Sequence, residues 1–256
     1  MVNPLAWLIM LSLVLTLAAC SVMDPKETKE FKIADVNLKL GMGYLEQNRL
    51  DDALRVLLKA LRAKSDYGDV HTVLAVVYDR LYKYDEAEDH YTSAVSLQPE
   101  KVDVYNNYGG FLCRQGNFED AEYYFKKALE FRRNDIREQV YENAGICAAQ
   151  VPDLKKAEEY FRKALQINAE LPKSLLGMAN IMFSKQRYLS VRAYLQRFEA
   201  VSQPNPQSLL LGIQAERKLG DAKAEQRYAS SLRAGFPKSR EFNQWLNETS
   251  QGDTTP

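Results

Sequence analysis

A small residue returns along this chain at a nearly fixed step. Alanines stand at Ala53, Ala87, Ala121 and Ala157, spaced 34, 34 and 36 residues apart. Each is followed seven residues later by another, at Ala60, Ala94, Ala128 and Ala164. A spacing of seven returns to the same helix face after two turns. Within each pair sits a large side chain: Leu57, Tyr91, Phe125 and Phe161. Twelve residues before the first alanine of each pair stands another small one: Gly41, Ala75, Gly109 and Gly145. This pattern restricts the chain to pairs of antiparallel helices that touch where side-chain bulk is missing. One such pair cannot bury its own apolar face, so the pairs must stack into an array.

The period and the small–large–small pattern resemble the tetratricopeptide repeat. The resemblance implies an all-α fold, a right-handed superhelix (solenoid) of about six repeats over residues 33–238. Gly116 supplies a helix stop between the two helices of the third repeat, and Pro99 closes the second. The fifth repeat is weaker, with Ala179, Val191, Leu195 and Phe198 in the four slots. The sixth is weaker still, with Gly212, Ala224, Tyr228 and Ser231, closed by Pro237. Degeneracy is expected at an end that has only one neighbour. A short helix over about 239–246, carrying Phe242 and Trp245, caps the last face. The tail from Asn247 to Pro256 reads as disordered.

The first residues stand apart from the array. Leu5 to Ala19 is an apolar run broken only by Ser12 and Thr16. It is shorter than the roughly 20 residues a helix needs to span a bilayer, and fits the core of a signal peptide over residues 1–19. Its start, Met1-Val2-Asn3-Pro4, carries no Lys or Arg. It ends Leu17-Ala18-Ala19-Cys20, which resembles the lipobox of bacterial lipoproteins. That implies acylation of Cys20, with residues 20–32 as a flexible tether. Cleavage as an ordinary secretory peptide, with Cys20 incidental, is the other reading. Ser21, where an Asp would retain a lipoprotein in the inner membrane, implies delivery to the periplasmic face of the outer membrane.

Composition narrows function further. With 34 basic and 34 acidic residues the chain has no net charge to draw it to nucleic acid. The two histidines, His71 and His90, read as a packed residue and a solvated helix position. Glu86 and His90 have i, i+4 spacing, but a charged helix face accounts for them without a metal. No nucleophile motif, phosphate loop or dinucleotide fingerprint occurs. No cofactor is expected, no metal site and no enzymatic activity.

What remains is a surface. By resemblance to the repeat family, the first helix of each repeat presents positions 2, 5, 9, 12 and 13 to a groove. These place Leu38, Met42 and Leu45 in the first repeat, Thr72 and Val76 in the second, and Asn106 and Arg114 in the third. Glu142 of the fourth repeat falls in the same row. The Lys and Asn that some relatives use to grip a peptide carboxylate are missing here. Leu38, Met42 and Leu45 instead form an apolar stripe suited to an amphipathic helix or an extended apolar peptide. The alternative is that they are ordinary core. Cys113 and Cys147 lie near equivalent positions on neighbouring helices, and an oxidising periplasm favours a disulfide between them. Two buried free thiols are the other possibility.

A lipobox followed by about six such repeats resembles the outer-membrane pilotins of type IV pili. So do the segments Tyr105-Asn106-Asn107-Tyr108-Gly109-Gly110-Phe111-Leu112-Cys113, Ala144-Gly145-Ile146-Cys147 and Leu211-Gly212-Ile213. The resemblance implies a monomeric lipoprotein, attached to the membrane only by its lipid. It would bind secretin subunits of the pilus, carry them to the outer membrane and promote their multimerisation. A periplasmic scaffold for cell-wall enzymes or barrel-assembly machinery shares the fold and the anchor, and stays open at this point.

Overall fold

A computed structural model of the chain describes residues 29–151 and 154–252. Cys20, the signal-peptide segment and the last four residues lie outside them. The described residues form thirteen α-helices and no strand. They divide into two compact units, with the boundary along the chain between Leu97 and Gln98. The first holds α1 (Lys29–Glu46), α2 (Leu50–Ala63), α3 (Gly68–Arg80) and α4 (Tyr84–Leu97). The second holds α5 (Val102–Arg114), α6 (Phe118–Glu130), α7 (Arg137–Ala148), α8 (Leu154–Ile167), α9 (Pro172–Ser184), α10 (Tyr188–Val201), α11 (Pro206–Leu219), α12 (Ala222–Gly235) and α13 (Arg240–Gly252). Consecutive odd–even pairs are the six repeats, two in the first unit and four in the second, and α13 follows them. None of these helices is long and apolar enough to cross a membrane.

The periodic residues are the core. All eight alanines of the first four repeats are fully buried, and Leu57, Tyr91, Phe125 and Phe161 beside them are sealed from solvent. Glycine is required where a ring fills the space a side chain would need. A Cβ on Gly145 would lie 2.7 Å from one edge of the Phe161 ring, and a Cβ on Gly177 would lie 2.5 Å from the opposite edge. Phe161 on α8 is thus clasped between α7 of its own repeat and α9 of the next. Closeness of this kind gives an array its nearest-neighbour stability.

The turns repeat as strictly as the core. Asn48, Tyr82, Gly116, Gln186 and Gly220 all have positive φ, from 56° to 81°. They occupy the same register in repeats one, two, three, five and six. In each case the next residue's N–H returns to a carbonyl five positions back, as in Arg49 to Tyr44 and Asn117 to Leu112, both 2.9 Å. This is the left-handed helix stop that satisfies the last carbonyls of a helix. Gly116 carries it at no steric cost; Tyr82 and Gln186, both exposed, carry it at the cost of a Cβ in the left-handed region, held by the same backbone bonds, Lys83 to Tyr78 and Arg187 to Met182.

Four boundary or slot expectations need correction. The tether over residues 20–32 is too long, because α1 begins at Lys29; Phe31 packs its ring 5.2 Å from Tyr67 and Ala34 is buried, which holds the first turns down. The C-terminal helix does not stop near Leu246 but runs to Gly252. Trp245 is buried against Leu209, Ile213 and Leu232, and Gln214 donates to Glu248 at 2.8 Å. Residues 247–252 are therefore helical rather than disordered. In the sixth repeat Ser231 is exposed and donates to the Arg227 carbonyl at 3.1 Å, while Leu232 takes the core position. Leu232 stands 34 residues after Phe198, so the buried stripe keeps its step and Ser231 falls one residue short of it. The fourth concerns His90, described below.

The two extra residues between the third and fourth repeats form an ordered connection. Arg137 donates to the carbonyls of Leu129 and Phe131 at 3.1 and 2.6 Å, and Asn134 donates to that of Ala128 at 2.8 Å. These bonds close the end of α6.

Candidate functional site

In the first unit, α1 and α3 pack side by side and present equivalent positions 34 residues apart. Met42 on α1 is 45% exposed, and its counterpart Val76 on α3 is half-buried. Leu45 is half-buried at the edge of the core, and its carbonyl accepts from Arg80 at 3.3 Å. Thr72 is half-buried and turns its hydroxyl back to the Gly68 carbonyl at 3.1 Å. The expected stripe is therefore incomplete. Leu38 is only 5% exposed and belongs to the core with Ala34, Ala53, Leu57 and Leu74. It lies one turn from Ala34 and one from Gly41, on the face that α1 turns inward. The accessible surface is Met42 with the flanks of Leu45, Thr72 and Val76, bordered by Asp79 and Arg80.

In the second unit the same row is spent on links between neighbouring repeats. Asn106 is buried and accepts from the Asn143 amide at 3.0 Å. Cys113 and Cys147 are bonded, with Cα atoms 5.7 Å apart, inside the range a disulfide needs. Gln150 donates toward the Cys113 sulfur at 3.4 Å. Arg114 is exposed beside them. Glu142 does not face a groove: it is buried and accepts from the Ser174 N–H and hydroxyl at 2.9 and 2.7 Å. Its charge sits in the first turn of α9, where the helix dipole favours an anion.

Two features went unseen in the sequence. One is a cleft of about 170 Å³ between α6 and α8, floored by Ala144, Cys147 and Ala148. The corresponding floor one repeat on is Met178, Ile181 and Met182, so the cleft exists because three side chains are small. At its edge Glu122 binds Lys156 at 2.7 Å and Lys126 at 2.9 Å. Burial alone would raise the Glu122 carboxyl, but those two hydrogen bonds outweigh it and hold the group below its ordinary range. Tyr160, pushed up to about 12 by burial and then by the Glu122 charge, lines the same cleft.

The other is a histidine pair in the first unit. His71 and His90 meet with Nδ1 atoms 2.9 Å apart, and His90 stacks on Tyr78 at 5.4 Å. The His71 Nε2 lies 3.0 Å from the Ser65 carbonyl, so that nitrogen bears the proton and the His71 Nδ1 accepts from His90. His90 is half-buried rather than solvated. Burial first, and His71 second, push it down to about 4. Among the described residues no three His, Cys, Asp or Glu side chains converge as a metal set would.

Known proteins share this architecture. Family profiles described as tetratricopeptide repeat match residues 38–95 and 101–170. The type IV pilus assembly protein PilF of Pseudomonas aeruginosa is 31% identical over 217 residues, which cover 84% of this chain and 85% of that protein. The solved structure of Pseudomonas aeruginosa PilF superposes with a TM-score of 0.80 at 30% identity, over 86% of this chain and all of that one. The crystal structure of PilW, described as a widely conserved type IV pilus biogenesis factor, superposes at 0.77 with 26% identity, over 84% of this chain and 98% of PilW. The extent of this match, at 31% identity over more than four fifths of both chains, places the chain in the PilF family of tetratricopeptide-repeat proteins.

Proposed function

We propose that this chain is a pilotin of type IV pilus biogenesis. It binds a secretin subunit, carries it to the outer membrane by way of acyl chains on Cys20, and promotes secretin multimerisation. It works by binding and performs no catalysis. The observation that carries the reading is the near full-length kinship with a type IV pilus assembly protein. The lipobox ending at Cys20 supplies the anchor in this reading. The surface around Met42 and Val76 supplies an apolar contact of the kind that receives an amphipathic or extended segment.

The test is a deletion strain. Secretin should accumulate as monomer in the inner membrane, and twitching should stop. The wild-type gene should restore both, and Cys20→Ala should restore neither fully, because the protein no longer reaches the outer membrane. Normal secretin multimers in the deletion strain, with a barrel-assembly or cell-wall protein co-purifying instead, would replace this reading with the scaffold.

A further inference from the structure

Within each unit, a repeat that follows another buries two positions against it. In repeats two, four and five the first of these is Val70, Val140 or Ser174, each fully buried. The second is Leu74, Ala144 or Met178, none more than 2% exposed. In the first repeat they are Val36 and Leu40, and they stand 64% and 45% exposed, with Ile33 beside them at 43%. Ile33, Val36 and Leu40 fall at i, i+3 and i+7, one stripe along α1. A terminal repeat ordinarily turns a polar face outward, and this one does not. Lys29, Lys32, Ile33, Val36 and Asn37 line one shallow depression, and no carboxylate lines it.

Charge and chain length select the occupant. A second copy docked by a two-fold axis would set Lys29 and Lys32 against their own like charges. An anionic lipid surface meets both the lysines and the apolar stripe. Lys29 is nine positions after Cys20, so a fully extended connection reaches at most about 30 Å. This inference rests on acylation of Cys20. We propose that α1 lies on the bilayer, with Ile33, Val36 and Leu40 entering the headgroup–acyl boundary and Lys29 and Lys32 against lipid phosphates. The membrane contact then has two parts, a lipid anchor and a helix face, and the face fixes how the first two repeats are held at the surface.

The test uses the full acylated chain in vesicles of phosphatidylethanolamine and phosphatidylglycerol. Val36→Cys and, as control, Lys59→Cys on α2 are each labelled with the dye NBD without reductant. The dye at 36 should shift blue and be quenched by doxyl-labelled lipid, and the dye at 59 should not. In the unacylated Cys20→Ser chain, weak binding to the same vesicles should fall about fivefold for each of Lys29→Gln and Lys32→Gln. A dye at 36 that stays in water on chains that carry acyl mass and float with vesicles overturns the face and leaves the anchor. Shielding at 36 without vesicles, or only on adding a secretin domain, overturns it in favour of the chain itself, a second copy or a protein partner. An intact mass without acyl chains overturns anchor and proposal together.

Discussion

Replacing Gly177 by Ala should destabilise the second unit, although the same change in an exposed helix stabilises. The Cβ would lie 2.5 and 2.6 Å from two ring atoms of Phe161, against ordinary carbon contacts of about 3.5–4.0 Å. One of the two must move by about 1 Å. The ring is not free to retreat, because its other edge faces Gly145, whose own Cβ position is 2.7 Å away. Overpacking of a tight core costs about 1–3 kcal/mol, and a ring held on both edges belongs at the upper end. The better helix propensity of Ala returns about 1 kcal/mol. The net loss is about 2 kcal/mol, or about 4–8 °C in melting temperature. Urea unfolding followed by Trp245 fluorescence reads it, since Trp245 on α13 is buried against the sixth repeat, in that same unit. Two comparisons isolate the cause. Gly43→Ala, where no atom lies within 4 Å of the new Cβ, should stabilise by up to about 1 kcal/mol. In a Phe161→Leu background, Gly177→Ala should lose most of its cost. If Gly177→Ala is neutral or stabilising in the wild-type background, the clasp around Phe161 is not what holds these repeats together.

Three other predictions follow from the sites. Reducing the Cys113–Cys147 bond, which closes a loop of 34 residues, should cost about 3–4 kcal/mol in the chain-entropy account; thiol labelling of both cysteines in unreduced, denatured protein would remove the bond from the argument. Leu38→Glu should unfold the first unit by burying a charge, whereas Met42→Glu should change stability by no more than about 0.5 kcal/mol and weaken the proposed binding of secretin, as circular dichroism and a pull-down will report. His90 is held neutral in the fold and titrates near 4, below its ordinary 6.5; the unfolded chain binds the proton first, so stability is complete above pH 6.5 and declines as pH falls toward 4. His90→Gln should flatten that slope in urea titrations at pH 7 and pH 5, and an unchanged slope would refute the assignment.

The array was legible because close packing demands small residues at fixed steps, and a step of 34 has few structural meanings. Even the weak fifth repeat was placed, since Ala179, Val191, Leu195 and Phe198 are all buried. Surfaces were harder. Leu38 and Leu40 are both leucines on one helix, and only the direction of the inward face separates core from solvent. The family register assigned Leu38 to the groove, and Leu40 drew no notice because its counterparts in later repeats are core. The His71–His90 contact joins two helices whose facing sides no one-dimensional spacing reveals. The cleft over Ala144, Cys147 and Ala148 was hidden for the opposite reason. Small residues read as good packing, and their emptiness shows only against the Met178, Ile181 and Met182 of the next repeat. The turn residues Asn48, Tyr82 and Gln186 were missed because positive φ is predicted from glycine, and only Gly116 and Gly220 supply it.

The link between Cys113 and Cys147 has a mechanical consequence. A solenoid stretched from its ends pays out chain one hairpin at a time, since each repeat is held only by its neighbours. Here the 34 positions spanned by the bond cannot join the extending length. At about 3.4 Å per residue they withhold about 115 Å of contour. Tension entering from either end stops at α5 or α7 and passes through the sulfurs, leaving α6 and the chain around it unloaded. Extension traces of oxidised and reduced protein should differ by that length, and the hairpin enclosed by the bond should keep its shape while its neighbours are drawn out.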